Sequence, residues 1–237
     1  MELFSVPWWS ALLAIILIDL VLAGDNAIVI ALAARKLPPH LQKKAILWGT
    51  VGAIGVRTLM TLAVVWLLQI PGLMLVGGLG LLWIAYKLIS DDGQDDHGDV
   101  GATTFWGAMK TIVVADALMG IDNVLGVAGA AGGSFELVAI GLMISVPIVV
   151  FGSQLVLQLV ARWPFIIALG GAVLAFTAAQ MVVSEPLLKE YFDGTLWHED
   201  VARWLIHGVF MAAILGLSWV RSKRQSAKAE AQDLEMV

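Results

Sequence analysis

Two acidic clusters share one spacing: Asp19-x5-Asp25-Asn26 and, 97 positions on, Asp116-x5-Asp122-Asn123. Both are embedded in apolar sequence. An Asp at the centre of a membrane-spanning helix costs roughly 2.5 to 3.5 kcal/mol, so four of them facing lipid would cost on the order of 10 kcal/mol. These side chains must face one another, a cation or water. Carboxylate and amide oxygens, with no cysteine in the chain and no histidine inside the motifs, suit a hard to intermediate cation such as Mg²⁺, Mn²⁺ or Ca²⁺. Met119, three residues from both Asp116 and Asp122, adds a thioether that would favour Mn²⁺ if it joined the site. Flexible packing is its plainer role.

On an ideal helix Asp19 and Asn26 share a face, while Asp25 points about 120° away. Gly24 offers the backbone freedom for a break that turns Asp25 inward and frees carbonyls, and in the second motif the glycine is Gly120. Arg57 is nine residues from Trp48 in the middle of an apolar run. It is too deep to reach the interface and is expected to pair with an aspartate, holding the empty site together. Lys87 is either a second charge partner or a side chain snorkelling to the interface. Glu185 is weighed as a vestibule residue, and His40, His198 and His207 are read as interface residues. The acidic loop Asp91–Asp99 lacks the ligand order of an EF-hand and reads as solvated.

The elements that must position these residues are helices in a bilayer. The chain is 59% hydrophobic and 14% charged, its mean hydropathy is +0.88, and its apolar runs are long enough to span. Seven candidate spans follow: Trp8–Ala34, Ala45–Gln69, Gly72–Ser90, Phe105–Ala131, Phe135–Val160, Phe165–Ser184 and Val201–Val220. The first lacks a basic flank and reads as a span rather than a cleaved signal. Pro38-Pro39, Pro71, Gly132-Gly133, Pro164 and Pro186 mark the junctions. Eleven Lys and Arg residues fall on one side under alternation, and only Lys189 and Arg203 on the other. The positive-inside rule then predicts the N-terminus outside and the C-terminus in the cytoplasm.

Under that orientation spans 1 and 4 run in opposite directions while carrying one motif, so the repeat is inverted. Gly77-Gly78 and Lys87 of span 3 align with Gly170-Gly171 and Gln180 of span 6 at an offset of 93, and Gln154 matches Arg57 at 97. The second half replaces two cations with amides. The expected fold is an all-α polytopic membrane protein with seven transmembrane helices: a 3+3 inverted repeat plus one additional helix. The transmembrane domain covers 1–221, with repeats about 8–90 and 105–184 and a seventh helix at 201–220. Residues 222–237 form a cytoplasmic tail, a helical extension that frays. Halves that rock around a midplane site are the architecture of secondary transporters.

The two Asp-x5-Asp-Asn motifs, Arg57, and the Gly77-Gly78-x7-Tyr86-Lys87 pattern resemble the TerC family of bacterial membrane proteins, over about residues 5 to 220. The resemblance implies kinship with the LysE-type transporter superfamily and a role in metal-ion homeostasis, chiefly manganese efflux. The family name records an older association with tellurite resistance. Carried over, the metal-binding residues are Asp19, Asp25, Asp116 and Asp122 with Asn26 and Asn123 beside them; Arg57, Lys87 and Met119 are expected around them from their positions in this sequence. The expectation is a secondary transporter exporting Mn²⁺, with Mg²⁺ or Ca²⁺ as alternatives, in exchange for protons. It is not an enzyme, uses no organic cofactor, binds no nucleic acid, and sits in the bacterial inner membrane, with homo-oligomerisation left open. Two other readings compete: a non-transporting scaffold for metallation of other proteins, and an intramembrane metal-dependent hydrolase, which lacks a nucleophile.

Overall fold

Apolar runs of this length satisfy their backbone in a bilayer by closing on themselves as helices. The computed structural model describes residues 4–21, 23–67, 69–90, 104–132, 134–188 and 198–235, with the backbone alone at 65, 122, 125, 135, 198–200, 221, 222 and 224–235. No strand occurs among the described residues. The helices are α1 (Val6–Val21), α2 (Ala23–Ala34), α3 (Pro39–Leu62), α4 (Val64–Leu67), α5 (Leu73–Ser90), α6 (Phe105–Ala131), α7 (Phe135–Arg162), α8 (Phe165–Val183) and α9 (His198–Glu235). The acidic segment 91–99 and the segment 189–197 lie outside the described residues.

Among the described residues, α3, α5, α7, α8 and α9 are long and apolar enough to cross a membrane. The pair α1–α2, bent by 48°, makes up to six. Helix α6 has 27 residues, about 40 Å at 1.5 Å per residue, and carries Lys110, Asp116 and Asp122. Span 2 starts at Pro39 rather than Ala45, because a proline loses nothing at a first helical position whose N–H has no intrahelical partner. It closes at Ala63 and resumes as α4.

The molecule is apolar inside and outside. Ile46, Leu81, Ile112, Leu174 and Met181 are fully buried where α3, α5, α6 and α8 meet, whereas Trp66, Val76, Trp106 and Phe151 face outward. A water-soluble surface does not carry apolar side chains at that density; a lipid-facing one does. Helix α9 is the most peripheral span, with 11% of its best window buried. It continues as a helix to Glu235.

The packing pairs helices across the two halves: α3 with α6, α1 and α2 with α7, and α5 with α8. The glycine pairs echoed in the sequence sit at these crossings. A Cβ on Gly78 would come within 2.7 Å of the Ala178 carbonyl, and one on Gly171 within 1.9 Å of Ile89 Cδ1. Only a bare backbone permits α5 and α8 to approach so closely.

Candidate functional site

Helix α3 buries one stripe, with Ile46, Gly49, Thr50, Ala53, Arg57 and Thr61 inward. A Cβ on Gly49 would meet Ile112, and Gly120 lies 3.9 Å from Arg57 Nε by the same measure. Both contacts have one offset, so α3 and α6 run side by side in parallel, with Asp116 level with Ala53. Arg57 therefore stands about one turn along from Asp116 and reaches it.

Arg57 is 3% exposed, Asp19 3% and Asp116 8%, too little for water to solvate three charges. The guanidinium bridges the two acids. Nη1 donates to Asp19 Oδ1 and Nη2 to Asp116 Oδ1. The expected Arg–Asp pairing is present with two aspartates, one from each motif. Arginine suits the task because its planar fork addresses two acceptors at once and keeps its charge when buried.

Asp25 stands in the first turn of α2, where its Oδ1 accepts the Asn26 N–H at 2.9 Å. Half-buried, it lies within electrostatic range of Arg57 and Asp116. A helix N-terminus favours an anion there. Helix α2 starts at Ala23, so the bend between the two helices precedes Gly24. Gly24 is helical and a Cβ there would meet nothing within 4 Å. With all three acids ionised, one guanidinium leaves the cluster with two net negative charges.

The structure thus gathers Asp19, Asp25, Arg57 and Asp116. The Asp122 side chain lies outside the described residues, and Asn123 is half-buried on α6. Met119 is 2% exposed in the apolar core. Lys87 has its Nζ over the Trp83 ring, 5.3 Å from the centroid. Among the described residues, no three His, Cys, Asp or Glu side chains are grouped as they would be around a metal ion. Enclosed acceptors remain on these helices: Asp116 Oδ2, Asn26 Oδ1 and Thr50 Oγ1 have no bonding partner among the described residues.

Two expectations need correction. Glu185, weighed as a vestibule residue, is 1% exposed and caps α5. Its carboxylate accepts the N–H groups of Gly72 (3.0 Å), Met74 (3.1 Å) and Leu75 (3.2 Å), and Gly72 adopts the φ of +80° that this turn requires. Burial pushes the carboxyl up, but these amides and that of Leu187 outweigh it and hold the group below the ordinary carboxylate range. His207, read as an interface residue, is buried against α8. Its Nδ1 lies 2.8 Å from the Arg203 carbonyl, its Nε2 3.2 Å from Gln180 Oε1, and its ring rests on Phe176. Glu185 has no local signal for its capping of α5, since the amides it caps there are over a hundred residues away. Thr50 could have been found seven residues before Arg57, on the same helix face.

The chain is similar to the uncharacterized membrane protein YjbE of Bacillus subtilis (strain 168), 43% identical over 179 residues that cover 76% of this chain and 82% of that protein. It is also similar to the UPF0053 inner membrane protein YgdQ of Escherichia coli (strain K12), 25% identical over 91% of this chain and 94% of the relative. The UPF0053 protein YegH of the same strain is 28% identical over 68% of this chain, a match that covers 34% of YegH. No solved structure matches. The model of the integral membrane protein TerC family matches residues 4–226, nearly the whole length. The chain belongs to the TerC family of integral membrane proteins.

Proposed function

We propose that this protein is a secondary transporter that exports divalent cations, Mn²⁺ foremost, from the cytoplasm through the Asp/Asn site where its two halves meet. One observation carries the reading: Asp19 and Asp116, equivalent positions of the two motifs, meet on one buried arginine. Negative charge in excess of Arg57 would attract a cation. The unbonded oxygens of Asp116 and Asn26 are donors that Mn²⁺ and Mg²⁺ accept. Arg57 stands in for the cargo when the site is empty, and an arriving ion competes with it for the same carboxylates. Acids that release an ion can take up protons for the return step, which makes exchange for protons part of the reading. No catalysed reaction is assigned.

The architecture behind the reading is seven spans, counting α6 and the α1–α2 and α3–α4 pairs as one each, arranged as two inverted halves with α9 added. Exchange of the halves turns the packing of α3 on α6 into that of α1–α2 on α7, and the packing of α5 on α6 into that of α8 on α2. This interchange supports the repeat, and rocking about it would open the site to either side. The basic-residue asymmetry supports an outside N-terminus and a cytoplasmic C-terminus in a bacterial inner membrane.

The Arg57 bridge also favours a second reading, a non-transporting scaffold, because a neutralised acid pair can serve as a purely structural link. Purified protein in liposomes separates the two. The transporter carries Mn²⁺ down its gradient faster than protein-free vesicles, and Asp25→Asn slows it strongly while the protein stays folded. The scaffold carries none.

A further inference from the structure

A buried threonine or serine in a helix ordinarily donates its hydroxyl to the carbonyl one turn back, and this protein follows the habit. Thr58 bonds Ile54 at 2.8 Å, Thr61 bonds Arg57 at 2.9 Å, Ser153 bonds Val149 at 2.7 Å and Thr177 bonds Val173 at 3.2 Å. Thr50 does not. The residue is 2% exposed, and its Oγ1 is enclosed with no partner among the described residues. An enclosed hydroxyl without a bond is a cost to the fold, so its surroundings matter.

Thr50 shares the buried stripe of α3 with Ala53 and Arg57. The parallel register of α3 and α6, set by Gly49 on Ile112 and Arg57 on Gly120, makes Asp116 level with Ala53. Thr50 is then about one turn to one side of Asp116 and Arg57 about one turn to the other. Arg57 occupies Oδ1, and Oδ2 has no partner. Asp19 meets Arg57, whose Nε lies against Gly120, and Ile18 lies against Gly126, which seats the end of α1 beside α6; Asn26 follows in the first turn of α2, which also packs on α6. Asn26 is 4% exposed and its Oδ1 has no partner either. The three helices pack on one another.

We propose that Thr50 Oγ1, Asn26 Oδ1 and Asp116 Oδ2 form an oxygen site for a divalent cation beside Arg57, with Thr50 as a specificity-setting ligand. The proposal rests on the transport reading and adds to it a ligand outside both acidic motifs. One charged and two neutral oxygens hold an ion loosely, as a carrier requires. They accept a hard ion in oxygen coordination and give a soft, thiolate-seeking ion little. An ion held there stands next to the Arg57–Asp116 bond, and its charge weakens the grip of the guanidinium on the acid. Thr50 lies toward the N-terminus of α3, the side read as cytoplasmic, so exported ions would meet this site before Arg57 releases Asp19.

The test uses the full chain in liposomes, as wild type, Thr50→Val and Thr50→Ser, with Mn²⁺ flux against concentration and melting temperature with and without Mn²⁺. Thr50→Val should raise KM for Mn²⁺ about tenfold, as loss of one bond to a charged group does, with kcat little altered. Thr50→Ser should retain the wild-type KM. Without metal, Thr50→Val should melt no lower than wild type, because it deletes an unsatisfied hydroxyl at nearly constant volume. The rise in melting temperature caused by Mn²⁺ should shrink in that variant. A wild-type KM and a wild-type Mn²⁺-induced rise in Thr50→Val would overturn the proposal, as would Thr50→Ser failing alongside Thr50→Val, which would mark a packing role. Wild-type vesicles without flux would overturn the transport reading and this site with it, before any variant is compared.

Discussion

In the first half of the molecule Asp19 and Asp25 stand on two helices that meet at 48°, whereas in the second half Asp116 and Asp122 stand on one unbroken helix of 27 residues. The break gives Asp25 a helix N-terminus and the amide of Asn26, so part of its charge is met by backbone dipoles. Helix α6 offers no such end at Asp116, which depends on Arg57. An intact helix also carries the backbone at 122 about 120° around from Asp116. One motif therefore contributes a helix end and the other a continuous rail, and Arg57 joins them. Sequence spacing repeats across the halves; electrostatics does not.

Removal of the joint should have the largest effect. Arg57→Gln leaves two buried carboxylates facing each other and should cost about 3 to 5 kcal/mol, read as a lower melting temperature. Pairing it with Asp19→Asn should recover part of that loss, and simple additivity of the two variants in a double-mutant cycle would mean the bridge is not formed. Next, Asp116→Asn and Asp25→Asn should separate the motifs. Both should slow Mn²⁺ flux, but only Asp116→Asn should also lower stability, by about 1 to 3 kcal/mol, because it removes a negative partner from a buried arginine and leaves a weaker, neutral acceptor in its place. Equal stability losses would erase the contrast between the helix end and the rail.

A smaller effect is expected at Glu185, which ties the end of α8 to the start of α5. Glu185→Gln should cost about 1 kcal/mol, as loss of a helix cap does. Its carboxyl lies below the ordinary carboxylate value in the folded protein. The stabilisation is therefore complete above that ordinary value and lost as pH falls through the lowered folded value. Wild type should show an added drop in melting temperature at acid pH that Glu185→Gln lacks; parallel profiles would remove the cap from the account. The smallest effect belongs to Gly24→Ala. The position is helical and open, so the change should stabilise by about 0.5 to 1 kcal/mol and leave flux intact. Slower flux would show that the break migrates to Gly24 during transport.

The helical segments were legible from the sequence, and rotation about each helix axis was not. Arg57, in the middle of an apolar run, called for an acidic partner and has two; the apolar runs likewise marked the helices, although α3 starts at Pro39 rather than Ala45. His207 shows the limit. Its position near a span end read as interfacial, but its ring turns toward α8 and Gln180, an azimuth that packing decides. Glu185 is similar, since an acid at a span end has no local mark of the helix it will cap. Gly24 belongs here as well: glycine permits a bend, but Gly24 lies within α2 and the two helices part before it.

The central claim is that acids from both halves carry one divalent cation between them. Mn²⁺ flux into liposomes holding wild type or the double variant Asp19→Asn/Asp116→Asn tests it most directly, with melting curves to verify that both are folded. The account predicts flux above protein-free vesicles for wild type and background flux for a folded double variant. Flux in the double variant equal to wild type, or none in either, would contradict it.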